Sequence, residues 1–263
     1  MKIIDTHTHL YLDDFKDDID KVMLNALNEN VEEFFLPAID SSETEAMLLL
    51  ENKYPAKCFA MMGLHPCSVK ENYGQELMYV HEWLQKRRFI AIGEVGLDFY
   101  WDKTFTDQQY ESFHQQIGWA LQYNLPLVIH TRDAMQPTID VVKEYTHKGL
   151  HGVFHCFSGN HQNALDIVNA GFLLGIGGIV TYKNAGIAEV VKKIDLTNIV
   201  LETDSPYLTP APFRGKRNES SYIKYIVRKI AEIKNISFEE VAAITTANAE
   251  KMFAVSKKIE KED

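Results

Sequence analysis

Short runs of apolar residues recur along the chain, spaced so that one helix fits between each pair. Eight of them read as strands, at 2–4, 33–36, 57–62, 89–92, 126–129, 152–154, 172–176 and 198–201. Each run is mostly continuous and is bounded by polar residues or glycine. Continuous apolar strands belong to parallel sheets covered on both faces. The segments between them read as amphipathic helices. Across 222–234, Ile223, Ile226, Val227, Ile230 and Ile233 share one helical face. Ser42 with Glu45, and Ser237 with Glu240, have capping-box spacing and predict two further helix starts. Eight strand–helix alternations predict a closed barrel or a doubly wound open sheet. The count of eight and the length of 263 residues favour an α/β fold of the (β/α)8 TIM-like type. One barrel domain is expected over 1–263, with a frayed, charged tail at 257–263.

Chemically capable residues follow these runs. Asp5-Thr6-His7-Thr8-His9 follows the first, Gly63-Leu64-His65-Pro66 the third, and Gly93-Glu94-Val95-Gly96-Leu97-Asp98 the fourth. His130-Thr131-Arg132, His155-Cys156 and Glu202-Thr203-Asp204 follow the fifth, sixth and eighth. In a barrel the C-terminal strand ends converge on one face, where the site is built. His81, His114, His147, His151 and His161 mostly fall on helices or at the opposite ends. Two histidines at i and i+2 of an extended segment point the same way, so His7 and His9 can reach one ion.

The combined set, His7, His9, Glu94, His130, His155 and Asp204, suits one divalent cation or a pair bridged by a carboxylate. Glu94 is the natural bridge, lying between the His7/His9 side and the His130/His155 side. Paired metals can activate a water. Asp204 could both bind a metal and accept the proton. Glu202 reads as a partner to a ligand.

Arg132 is a candidate phosphate clamp, or else an ion pair with Asp133. His65 is a candidate for substrate contact or catalysis. Arg214, Lys216 and Arg217 form the one dense basic run, just after the eighth strand, where barrels often hold phosphate. The aromatic cluster Phe99-Tyr100-Trp101 either stacks on a base or sugar at the site mouth or caps the barrel. Gly175-Ile176-Gly177-Gly178 lacks the full phosphate-loop pattern and reads as a tight turn after a strand. Cys156 reads as a small buried thiol.

Composition narrows the partners. The formal net charge of −10 argues against a broad nucleic-acid-binding surface, which needs Lys and Arg. It leaves room for a small site where metal ions supply the positive charge. Three scattered cysteines, Cys58, Cys67 and Cys156, fit a reducing compartment. No apolar run reaches the roughly 18 residues of a membrane span, and the start shows no secretory pattern. A cytoplasmic protein without membrane contact is expected, and no obligate protein partner is legible.

The motifs DTHTHL (5–10), GLHP (63–66), GEVGLDFY (93–100), LPLVIHTRDA (125–134), HCFSG (155–159), GGIVTYKNA (177–185), ETDSPYLTP (202–210) and FRGKRNE (213–219) resemble the TatD family of metal-dependent hydrolases, within the amidohydrolase-like barrels. The resemblance runs from Asp5 to about Phe253. It implies a two-metal site with His7, His9, Glu94, His130, His155 and Asp204 as ligands. It also implies metal-dependent deoxyribonuclease activity, including 3′-to-5′ exonuclease action on DNA, with DNA or a nucleotide as the expected substrate. Where the family often has proline after FRGKRNE, this chain has Ser220-Ser221. No lysine stands at the bridging position, so a carboxylated lysine is not expected. The imidazoles favour Zn²⁺, Mn²⁺ or Ni²⁺, whereas the resemblance points to Mg²⁺. Two rivals remain open: hydrolysis of another ester or amide, such as an aminoacyl-tRNA ester, and a non-catalytic metal-binding barrel.

Overall fold

The computed structural model describes residues 1–259, with side chains through Phe253. Strands and helices alternate along it. β1 (Ile3–Asp5) leads to α1 (Ile19–Asn28), β2 (Val31–Leu36) to α2 (Thr44–Lys53), and β3 (Cys58–Ala60) to α3 (Tyr73–Lys86). β4 (Ile92–Asp98) leads to α4 (Thr106–Tyr123), β5 (Leu127–Arg132) to α5 (Met135–Lys143), and β6 (Gly152–Phe154) to α6 (His161–Asn169). β7 (Phe172–Ile176) leads to α7 (Ile187–Lys193) and β8 (Ile199–Leu201) to α8 (Ile223–Lys234), after which α9 (Phe238–Ile259) is added.

Every ladder is parallel. The strands form two arcs, β1-β2-β3 and β4-β5-β6-β7-β8. A few backbone hydrogen bonds carry the ring across the two junctions. The Met62 amide donates to the Ala91 carbonyl (3.2 Å) and the Gly93 amide to the Met62 carbonyl (3.1 Å). The Thr6 amide donates to the Leu201 carbonyl (3.0 Å). The result is the expected eight-stranded barrel, with ladders interrupted beside β4 and beside β1.

Inside the barrel, Ile4, Phe35, Met61, Ala91, Val128, Val153 and Val200 pack as one buried cluster. Ala249 and Phe253 of α9 close it from below, and the Phe253 and Phe35 rings meet edge-on at 4.8 Å. Thr246 donates to the Lys2 carbonyl and Asn248 to the Ile199 carbonyl, so α9 lies against the N-terminal ends of β1 and β8. A second, larger shell fills the space between strands and helices and takes in Ile226, Val227 and Ile230 of α8. With the lower mouth plugged, the C-terminal mouth remains for chemistry. The pleat carries each strand from core to site in two residues: Val128 to His130, Val153 to His155, Val200 to Glu202.

Three boundaries differ from the sequence reading. The run 89–92 precedes most of β4, which extends through Glu94 to Asp98, and β5 includes His130 and Arg132. Strands at this mouth keep their hydrogen bonding while their side chains turn polar, so an apolar run ends before its strand does. The Ser42/Glu45 capping box does not form. Ser42 donates instead to Asp40 (2.6 Å), and α2 starts after Glu43. At α9 the Ser237 hydroxyl accepts the Glu240 amide (3.1 Å), the first half of the expected box. The tail expected at 257–263 falls outside the described residues from 260 onward. No helix among the described residues is long and apolar enough to cross a membrane.

Candidate metal centre

The loops after β1 and β8 are joined by backbone and side-chain bonds. The Asp204 amide donates to the His7 carbonyl (2.9 Å) and the His9 amide to the Ser205 carbonyl (2.7 Å). Below them the buried Asp5 carboxylate accepts the Thr203 amide (2.9 Å) and hydroxyl (2.6 Å). These bonds bring residues almost 200 positions apart to one spot. His7, His9 and Asp204 therefore converge, with Asp204 Oδ1 at 3.8 Å from His7 Nε2 and 3.6 Å from His9 Nε2.

Glu94 occupies the centre, buried on β4. Its Oε2 faces His7 Nε2 (3.2 Å) and His9 Nε2 (3.7 Å). Its Oε1 faces His130 Nδ1 (2.8 Å), His155 Nε2 (2.8 Å) and His65 Nε2 (3.4 Å). Burial alone would raise the Glu94 carboxyl. The imidazoles, His155 first and then His65 and His7, hold it well below its ordinary range. The carboxylate is therefore ionised and shared between two imidazole groups.

Hydrogen-bond partners assign the imidazole tautomers. Tyr11 Oη donates to the Pro37 carbonyl (2.6 Å), so it can only accept from His9 Nδ1 (2.9 Å). His9 Nδ1 then carries the proton and Nε2 keeps a lone pair for the centre. His130 Nε2 lies 2.9 Å from Asp98 Oδ2, which fixes a proton there and leaves Nδ1 toward Glu94. Outer carboxylates commonly orient metal-binding histidines in this way. His65 is the opposite case. Its Nδ1 accepts the Cys67 amide (3.0 Å), so the proton of the neutral ring sits on Nε2, which faces the centre as a donor.

This donor set fits a cation. His130 Nδ1 and Glu94 Oε1, both acceptors in these tautomers, stand 2.8 Å apart. A proton or a metal ion must lie between them. His7 Nε2, which faces Glu94 Oε2 and Asp204 Oδ1, is buried without a hydrogen-bond partner among the described residues, which is costly unless a metal takes its lone pair. The rings of His7 and His155 stack at 3.8 Å. Donor atoms of His7, His9 and Glu94, of His7, His155 and Asp204, and of His65, Glu94 and His130 each cluster within 4.8 Å.

Glu202 lies buried beneath His155. Its Oε1 accepts the Cys156 amide (2.5 Å) and stands 3.6 Å from His155 Nδ1, beyond hydrogen-bond length. Gly175 makes its space, because a Cβ there would meet Glu202 Oε2 at 2.2 Å. Gly175 ends no loop: it lies inside β7, and the turn follows Ile176. Burial, followed by Asp204 and Glu202, pushes the Cys156 thiol well above its ordinary value and keeps it protonated.

A cavity of about 770 Å³ opens over the centre, lined by His9, His65, Glu94, Asp98, Trp101, His130, Arg132, His155, Asp204 and Tyr207 among others. Arg132 reaches it without an ion pair among the described residues. Its guanidinium lies on the Tyr100 ring at 3.8 Å. The basic run does not line this cavity. Arg214 stacks on Tyr182 (4.3 Å) in a separate cavity with Lys183. Lys216 is exposed near the Phe213 ring (5.9 Å). Arg217 is tied to Asp18 (2.8 and 2.7 Å) and Glu219 (3.1 Å) and packs on Phe15. Sequence reasoning gave no role to Asp98 or Tyr11. The signal was present as spacing, since Asp98 follows Glu94 by four on one strand and Tyr11 extends the His7-x-His9 alternation.

The family model described as TatD related DNase matches residues 4–254. The chain belongs to this family. It is 40% identical over 256 residues to the uncharacterized metal-dependent hydrolase YabD of Bacillus subtilis, covering 97% of this chain and 100% of that one. It is 29% identical over 259 residues to the 3′-5′ ssDNA/RNA exonuclease TatD of Erwinia tasmaniensis, covering 95% and 99%. Among solved structures it resembles the TatD homologue YJJV of Escherichia coli, with a TM-score of 0.90, 27% identity, and 96% and 98% of the two chains covered. The TatD-family barrel and its imidazole–carboxylate centre thus agree with the resemblance carried by the motifs.

Proposed function

We propose that the protein hydrolyses phosphodiester bonds of a nucleic-acid strand, acting from the 3′ end as its Erwinia relative is named for. The observation that carries the reading is the division of Glu94 between two imidazole groups, Oε2 toward His7 and His9 and Oε1 toward His130 and His155. His7, His9, Glu94 and Asp204 would hold one divalent ion, and Glu94, His130 and His155 a second, as Mg²⁺, Mn²⁺ or Zn²⁺. Such ions, when bound, supply Lewis acidity that lowers the pKa of water and polarises a phosphoryl oxygen.

The chain's own residues do the rest. Burial opposes ionisation of Asp204, but His9 and the other imidazoles hold its carboxyl below the ordinary value. Asp204 is therefore a carboxylate able to accept a proton from water on the oxygen other than Oδ1, which faces His7 and His9. His65, with Nε2–H turned inward, donates to a phosphate oxygen. Arg132, a cation free of carboxylate partners among the described residues, takes another oxygen. Glu202 orients the loop of His155 through the Cys156 amide. Arg214 and Lys216 lie off the cavity and suit contact with strand further out, whereas Arg217 serves the loop. The family fold, a centre able to hold metal and the Arg132 cation at the cavity together favour a phosphodiester over an ester or amide substrate.

The test uses end-labelled single-stranded DNA and RNA beside aminoacyl-ester and amide substrates, with Mg²⁺ or Mn²⁺ present. Stepwise loss of 3′ nucleotides, abolished in Glu94→Ala and Asp204→Ala, is the expected result. Cleavage of only the ester or amide panel, or undiminished strand degradation by both variants, overturns the proposal.

A further inference from the structure

Tyr100 and Trp101 leave large apolar rings in solvent, 51% and 67% exposed, on the loop between β4 and α4. The loop is nevertheless fixed. Asp98 Oδ1 accepts the amides of both Tyr100 (2.9 Å) and Trp101 (3.1 Å), while its Oδ2 holds His130. One buried carboxylate thus ties the aromatic loop to the metal centre. The two rings meet edge-on at 4.9 Å. The Arg132 guanidinium covers the Tyr100 ring at 3.8 Å and lies 5.1 Å from the Trp101 ring. Trp101 and Arg132 both line the cavity over Glu94.

We propose that Tyr100, Trp101 and Arg132 form a platform on which an unpaired nucleobase next to the scissile phosphate stacks, making Trp101 a specificity-determining residue. The inference rests on the phosphodiesterase reading above. Three features support it. An indole two-thirds exposed offers open ring surface, and a base can stack there whatever its sequence. The guanidinium keeps its N–H groups for phosphate while its plane extends the aromatic surface. The fixed backbone means that little loop ordering opposes binding. A base inside a duplex is already stacked and paired, so the platform favours single strands. A barrel cap would instead bury these rings, and they are exposed.

The test compares metal-loaded wild type, Trp101→Ala and Trp101→Phe. The strands are single-stranded DNA with normal 3′-terminal nucleotides and the same strand with an abasic residue at each of the last three positions in turn. Binding is read by anisotropy on strands made resistant with 3′-terminal phosphorothioates, and KM and kcat on ordinary ones. Trp101→Ala is expected to weaken binding of the intact strand about tenfold, mainly in KM, with Trp101→Phe largely restoring it. At one abasic position wild type should lose a similar factor and Trp101→Ala should lose nothing further. Equal weakening of intact and abasic strands by Trp101→Ala, or no weakening of either, overturns the platform while strand cleavage stands. Failure of wild type to bind or cut any strand overturns the underlying reading as well.

Discussion

His130 Nε2 and Asp98 Oδ2 stand 2.9 Å apart, and that contact turns His130 Nδ1 toward Glu94. The Asp98 carboxylate also accepts the Tyr100 and Trp101 amides, so it must remain an acceptor on both oxygens. In Asp98→Asn one side becomes a donor. With its oxygen kept by the loop amides, the new amide group would face Nε2 and drive the ring proton to Nδ1, where a metal should sit. Metal affinity is expected to fall about 10–100-fold, measured by competition with a chelator. Unchanged affinity would remove Asp98 from the centre.

Metal removal should destabilise the fold as well as stop turnover. In the metal-free protein the buried His7 Nε2, without a hydrogen-bond partner among the described residues, loses its ligand. Ion at a hundred times its dissociation constant stabilises by about 2.7 kcal/mol. For a chain of this size that is a Tm rise of roughly 5–10 °C. Scanning calorimetry with and without chelator checks it. A Tm indifferent to metal contradicts the fit.

Gly175 and Gly74 make a matched pair. A Cβ at Gly175 would press on Glu202 Oε2 at 2.2 Å, whereas nothing lies within 4 Å of one at Gly74. Gly175→Ala should cost about 1–3 kcal/mol and lower metal content, because Glu202 supports the loop of His155. Gly74→Ala, in the first turn of α3, should stabilise by at most about 0.5 kcal/mol. Denaturant unfolding with metal analysis separates the two.

Arg217 should matter for the loop and not for substrate. Its pairing with Asp18 holds that carboxyl below its ordinary value. A carboxyl lowered in the folded state adds stability above its unfolded pKa, and that stability is lost as pH falls through the folded value. Arg217→Met is expected to lose about 0.5 kcal/mol at pH 7, the pair being partly exposed. The deficit should shrink below about pH 4, with KM for the strand unchanged throughout. A raised KM at constant stability would restore the phosphate role.

Much of this was legible in the sequence, for stated reasons. The eight apolar runs gave the strand order, and α8 was placed within one residue because its isoleucines keep helical spacing. The ligand set was visible because His7, His9, His130, His155 and Asp204 all lie just beyond an inward apolar position. The extent of β4 was not legible, since Gly93-Glu94-Val95-Gly96-Leu97-Asp98 is a strand whose inner face belongs to the site. The fate of Ser42 was hidden because Asp40 competes for its hydroxyl. The basic run Arg214-Gly215-Lys216-Arg217 reads as one patch along the chain, but its side chains turn to Tyr182, to solvent and to Asp18 in three directions. Charge density along a chain does not fix where cations point.

Glu94, with Oε2 toward His7 and His9 and Oε1 toward His130 and His155, is placed to serve two cation positions at once. Titration of metal-free protein with Mn²⁺, with stoichiometry read by calorimetry and spin coupling by electron paramagnetic resonance, addresses it most directly. Two ions per chain with a coupled signal in wild type, reduced to one uncoupled ion or none in Glu94→Ala, is the predicted result. A single uncoupled ion in wild type, retained in Glu94→Ala, would contradict it.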